Sequence, residues 1–405
     1  MRDKTLFYME IHRMKKFFLF SLFSCLSLPL FSNNLSDISF QADKLKDYNK
    51  LVGYDLDCQI WKETRENVVS GQPSLLVHGF GASPVTMIEW TKVAGPNKIP
   101  GDIVTFRFAD ATDTNTPDFS QLNLGQKSDM LSLLVAFKAM KDTTGNGGWN
   151  TYGQSRGAAT IVNTLAILNK PVNTWHHTLQ KSQITDEERV ALLESIKKGV
   201  VVLETPLVTT ASGIHGNGKL VINRYVDLPD KMTSLLCSLG NNIVFPIISR
   251  GNYVPWGEQA LSSVDALPNE LKVLLHFQHN DQDVSNQYDA LFTKKMLDRL
   301  GKNNVWASYG DDGKKELDDE TWQALQEAVQ QGTVKRLLNR KVRAHNAGSE
   351  TLLKKGVISA LYKEHGGAYL NDEKHLKLGQ EIIEASCVDP NNVENHFKNL
   401  SQKIM

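Results

Sequence analysis

The stretch of this chain best suited to covalent chemistry is Gly153-Gln154-Ser155-Arg156-Gly157, a serine held between two glycines. The spacing G-x-S-x-G belongs to a turn that lifts a serine hydroxyl clear of the backbone where a strand passes into a helix. The glycines answer a steric need. In so sharp a turn the residues flanking the serine lie almost against the neighbouring strand and helix, and a Cβ there would clash. Five residues with three fixed positions recur by chance, so the flanks matter. Upstream, Gly148 to Tyr152 is short and partly β-prone; downstream, Ala158 to Leu168 is small at first and then apolar at helical spacing. A serine hydroxyl is a poor nucleophile at neutral pH. It needs a base within hydrogen-bond reach, a third group to orient that base, and donors for the oxyanion. The chemistry in view is acyl transfer through Ser155.

The elements that must position such a group alternate along the chain. Ser74 to Val77 is a short apolar strand running straight into His78-Gly79-Phe80-Gly81, and Ile103 to Phe108 alternates as a strand should. Ser128 to Met140 places Met130, Leu133, Leu134 and Phe137 at helical spacing, and a Gly-rich loop at 145–148 leads to the serine turn. Val200 to Leu203, Lys272 to Phe277 and Val305 to Tyr309 read as further strands, continuous and apolar as in a parallel sheet buried on both faces. Strands alternating with helices predict an α/β fold with a mostly parallel sheet flanked by helices. Three stretches interrupt the rhythm. At 176–198, Thr185-Asp186-Glu187-Glu188 forms a capping box ahead of an amphipathic helix. The connection at about 209–268 is long enough to be functional and is read as a cap over the active site. The stretch at about 310–362 is read as a helical insertion, with Trp322, Leu325 and Val329 on one face. Within the cap, Ile243 to Ile248 and Tyr253 to Trp256 are taken as its own small core, with a wall for an apolar acyl group as the alternative.

The chain order of serine, then acid, then histidine, with an oxyanion segment earlier, resembles the α/β-hydrolase family, over His78 to about Ala385 and across the insertions. The resemblance implies one α/β-hydrolase domain at 33–405 that cleaves a carboxylic ester, ahead of an amide or peptide bond, through an acyl-enzyme. It further implies that the backbone N–H groups of Phe80 and Arg156 form the oxyanion hole, with His78 holding the loop rather than moving protons. The triad acid is then Asp281, in His279-Asn280-Asp281-Gln282-Asp283-Val284, with Asp283 and Glu204 as alternatives. The base is His365, in Glu364-His365-Gly366-Gly367, with His345 as the alternative; His375 falls within the final helix. Here the sequence departs from the family, which joins its last strand to the base by a short loop where this chain carries the third insertion. Two other classes stay open, an acyltransferase with the same triad and a non-catalytic binding protein on the hydrolase scaffold.

Composition narrows the rest. The 405 residues are 41% hydrophobic, and 45 basic residues balance 45 acidic ones, which excludes nucleic acid as the main partner. The expected partner is a small-molecule or acyl substrate. The sequence shows neither C-x-x-C nor H-E-x-x-H, so no metal and no cofactor is expected. At the amino terminus, Met14-Lys15-Lys16 precedes an apolar run from Phe17 to Phe31, read as part of a signal peptide over 1–32, with Met14 as an alternative start. That run is short for a membrane span, so the expectation is export to the periplasm or beyond, with no stable span after cleavage. Of the four cysteines, Cys25 falls in the signal, leaving Cys58, Cys237 and Cys387 as buried small side chains or as one disulfide plus a thiol.

Overall fold

In a computed structural model, the described residues are 60–63, 73–80, 82–84, 87, 102–108, 119–145, 147–214, 228–278, 286–301 and 304–310. Three of the strands are mostly apolar and demand burial on both faces, and they receive it. Strand β1 is Ile60–Glu63, β2 Ser74–Val77, β3 Ile103–Phe106, β4 Asn150–Gln154, β5 Val201–Glu204, β6 Val273–Gln278 and β7 Val305–Gly310. Every residue of β2, β3, β4 and β5 is buried. The strands form one seven-stranded sheet in the order β1-β3-β2-β4-β5-β6-β7. Among the described residues, only the β1–β3 pair is antiparallel; every other pair runs parallel.

Among the described residues, five longer helices accompany the sheet: α1 Lys127–Thr144, α2 Arg156–Leu168, α3 Asp186–Lys197, α4 Asp230–Leu239 and α5 Asn286–Leu300. Leu134 and Phe137 of α1, Ile161 and Leu165 of α2, Ile196 of α3 and Phe292 of α5 share one apolar cluster with Leu75, Val77, Leu203 and Leu275 of the sheet. The alternate strand residues, Leu76, Tyr152, Val202 and Leu274, are equally buried. Side chains of this size contribute about 1.5–3 kcal/mol each when fully buried, so the layering itself is amply driven. The capping box forms as the sequence implies: the Thr185 hydroxyl accepts from Glu188 N–H, and the Glu188 carboxylate accepts from Thr185 N–H.

Strand order fixes where a site can lie. The chain leaves β2 for β3 on one side and later returns to β4 on the other, so the order reverses between β2 and β4. In open α/β sheets, ligands bind outside the carboxyl ends of the strands at such a reversal. A mostly parallel sheet, helices packed on it and a strand–turn–helix at its central strand are the α/β architecture expected from the sequence, consistent with the α/β-hydrolase fold.

The stretch at 228–268 departs from one expectation. Residues 230–248 form one continuous helical run, in which α4 passes through a π-turn at Gly240–Val244 into a short helix at Phe245–Ile248. Among its described residues it forms no core apart from the main cluster. Phe245 and Tyr253 join the main cluster, while Ile243, Ile247 and Trp256 stand exposed. Helical spacing sends neighbours in an apolar string to opposite sides, so composition alone could not place them.

Candidate active site

Ser155 occupies the turn between β4 and α2, with φ 51° and ψ −114°. A non-glycine residue in that region is strained, and such strain concentrates where geometry serves function. The flanking glycines are required by close approach. A Cβ on Gly157 would sit 2.3 Å from the Val77 carbonyl oxygen, and one on Gly153 would sit 2.4 Å from Ile161 Cδ1. The serine's own peptide groups are gripped from the end of β5 and the turn after it: Ser155 N–H donates to the Glu204 carbonyl at 2.9 Å, and its carbonyl accepts from Leu207 N–H at 3.1 Å. Thr205, between them in sequence, is a buried β-branched residue with φ 38°. The nucleophile candidate is therefore clamped by a second strained turn.

The His78-Gly79-Phe80 loop leaves the end of β2 directly beside this turn. A Cβ on Gly79 would lie 3.4 Å from Ser155 Cβ and 3.2 Å from Gln154 Oε1. Phe80 is partly buried against the main cluster. His78 is fully buried, with Nδ1 2.8 Å from the Gly79 carbonyl and Nε2 3.4 Å from Phe108 N–H. Both contacts suit a neutral ring that donates from Nδ1 and accepts at Nε2. Burial, helped by the Arg156 charge, lowers its pKa to about 4, which keeps it in that form. The expectation that His78 is structural agrees with this arrangement.

Beneath the turn lies a feature that sequence reasoning did not identify. The Arg156 side chain points inward, and its Nε–H and Nη2–H donate to Asp129 Oδ2 at 2.7 Å and Oδ1 at 2.6 Å. The side chains are 2% and 1% exposed, so the pair is buried. Asp129 Oδ2 also accepts from Gly125 N–H at 2.5 Å, at the start of α1, where a carboxylate is favoured by the helix dipole. The Arg156 guanidinium carbon stands 4.3 Å from the centroid of the Phe108 ring. The cue in the sequence was an arginine directly after the turn serine, a position whose side chain has only the interior to enter.

Glu204, one of the alternatives for the acid, is fully buried, and its Oε2 accepts the Tyr152 hydroxyl. His276 pairs with Glu204 across β5 and β6, and burial lowers its pKa to about 4. Asp281, Asp283, His345, His365 and His375 lie outside the described residues, as do Cys58 and Cys387; Cys237 is buried. The structure thus brings together Ser155, the Phe80 loop and the Arg156 backbone. Among the described residues, no group of three or more His, Cys, Asp or Glu could hold a metal ion, and no helix is long and apolar enough to cross a membrane.

No family model and no curated protein sequence matches the chain. Solved structures give a distant likeness. An esterase of Pyrococcus furiosus is similar at TM-score 0.38 and 14% identity, over 70% of this chain and 86% of that one. A carboxylesterase of Bacillus subtilis is similar at TM-score 0.35 and 12% identity, over 66% of this chain and 88% of that one. A proline iminopeptidase of Mycobacterium smegmatis is similar at TM-score 0.35 and 11% identity, over 72% of this chain and 97% of that one. The fold stands on the strand order and the serine turn, independently of these likenesses.

Proposed function

We propose that this chain is a serine hydrolase that cleaves a carboxylic ester through an acyl-enzyme. The observation that carries the reading is Ser155 itself, held at φ 51° at the carboxyl end of β4, beside the β2 loop and at the reversal of strand order. Strain of this kind clusters at functional sites, and here it coincides with the end of a central strand and the reversal of strand order. Ser155 Oγ attacks the ester carbonyl carbon as His365 takes its proton. Asp281 orients His365 and stabilises its charged form. The backbone N–H groups of Phe80 and Arg156 receive the negative charge that develops on the carbonyl oxygen, each contributing about 3–4 kcal/mol of transition-state stabilisation. The leaving alkoxide departs with the proton from His365, and water, deprotonated by the same ring, releases the acid. Glu204 is the weaker candidate for the acid, since its carboxylate already accepts the Tyr152 hydroxyl. The reaction needs no cofactor. The run from Phe17 to Phe31 supports export before this chemistry, checked by sequencing the mature amino terminus.

The test is labelling with a serine-reactive fluorophosphonate. Wild type should be labelled at Ser155, Ser155→Ala should not be labelled at all, and His365→Ala should label far more slowly. Equal labelling of all three proteins would overturn the mechanism.

A further inference from the structure

We propose that Asp129 and Arg156, acting through Phe108 and His78, are positioning residues that set the spacing between the two halves of the oxyanion hole. The inference rests on the serine-hydrolase reading above. Its basis is a continuous line of buried contacts joining the two backbone segments that reading uses. At one end, Arg156 carries the N–H that follows the nucleophile, and its side chain is forked onto Asp129 at 2.6 and 2.7 Å. The same guanidinium lies over the Phe108 ring at 4.3 Å. Phe108 meets the His78 ring edge-on, with centroids 4.8 Å apart, and its N–H donates to His78 Nε2 at 3.4 Å. His78 Nδ1 then holds the carbonyl of Gly79, the residue before Phe80, at 2.8 Å.

Three physical points favour positioning over simple stabilisation. First, a buried ion pair is a poor way to gain stability, because desolvating both charges consumes most of their attraction, and an apolar pair of similar volume often does as well. Second, a guanidinium held bidentately by a carboxylate has its plane fixed, which a flexible side chain cannot offer. Anchoring the guanidinium tethers the first turn of α2, which carries the Arg156 backbone N–H, to the first turn of α1. Third, Asp129 neutralises the guanidinium, so the pair offers the oxyanion geometry rather than net charge.

The experiment compares wild type with the double variant Asp129→Leu/Arg156→Met and with Phe108→Leu, on a p-nitrophenyl ester. Active sites are titrated with the fluorophosphonate so that kcat is expressed per labelled serine. In the double variant kcat should fall about 10- to 100-fold while KM stays within about threefold, as expected when a donor is misplaced in the transition state alone. Affinity for a phenylboronic acid, which forms a tetrahedral adduct on the serine, should fall in parallel. A purely structural role would lower the melting temperature and the labelled fraction but leave kcat per labelled serine unchanged, and that result would overturn the inference. If the double variant does not fold, Phe108→Leu carries the same readouts with the ion pair intact. A wild type that fails to label or turn over breaks the serine-hydrolase reading instead, so the two failures are distinguishable.

Discussion

Two regions of this molecule treat their apolar and polar groups in opposite ways. Around Ser155, charged and polar side chains are taken inside: Arg156, Asp129, His78, Tyr152 and Glu204 are all buried, and each makes a hydrogen bond. Along the helical run at 230–248, apolar side chains are left outside: Met232, Leu235, Leu239, Ile243 and Ile247 follow one another at intervals of three or four and are 41–70% exposed. The first arrangement costs desolvation and leaves one geometry; the second costs little and fixes nothing. Precision is therefore concentrated at the turn, and the helical run is held by a few anchors such as Phe245, Tyr253 and the hydrogen bond from Val254 N–H to Gln126 Oε1 at 2.9 Å.

The largest break in this comparison is chemical. Replacing Ser155 with Ala should lower ester turnover by at least about 10⁴-fold while leaving the urea midpoint nearly unchanged, since half-buried Ser155 has no packing role that a methyl cannot fill. Retained turnover would move the chemistry to another residue. Next comes Gly157→Ala. The added methyl would meet the Val77 carbonyl oxygen at 2.3 Å and the His78 carbonyl at 2.7 Å, both backbone atoms that cannot swing aside. Destabilisation of about 4 kcal/mol is expected from urea melts. A loss below about 1 kcal/mol would mean that the turn is less rigid than its contacts imply.

How much of this was legible in advance divides along the same line. The strands were readable because continuous apolar runs state their own burial: the run from Val200 to Leu203 becomes β5 at Val201–Glu204, and the run from Lys272 to Phe277 becomes β6 at Val273–Gln278. The serine turn was readable because its glycines are steric necessities. The Asp129–Arg156 pair was not, since 27 residues separate its members and no periodicity links an acid in one helix to a base opening the next. The edge strand β1 was also missed; four residues of mixed polarity give no pattern until β3 pairs with them. Ile243 and Ile247 are exposed where the sequence takes Ile243 to Ile248 as interior, because an apolar string says nothing about which side of a helix faces solvent.

Acidity should sharpen the contrast by acting on the turn. His78 and His276 are fully buried, and burial lowers each pKa from 6.5 to about 4. The charged groups that bear on His78 are Arg156, Asp129 and Arg107, with burial the largest influence and the two arginines reinforcing it. A ring whose folded pKa lies below its unfolded value takes up protons more readily when unfolded. Its contribution is therefore intact above about pH 6.5 and is lost as pH falls toward 4, on the order of 3 kcal/mol for each ring. Urea melts between pH 7.5 and 4 should show this decline, and His276→Gln should make it shallower. A flat profile would mean that these rings are hydrated in solution.

The smallest effect is expected on the helical run, and there the expectation is near silence. Ile247 is 70% exposed and Leu235 60% exposed. Each has already left most of its apolar area in water, so changing it to Ser removes little burial on folding, and a surface substitution of this kind falls within about 0.5 kcal/mol. Helix propensity differs little between these residue types, so the backbone term is also minor. Ile247→Ser and Leu235→Ser should therefore leave the urea midpoint where it is, against the several kcal/mol expected for one methyl at Gly157. A loss above about 1.5 kcal/mol from either change would show that the stripe is covered in solution, and the contrast between the two regions would then fail at its second term.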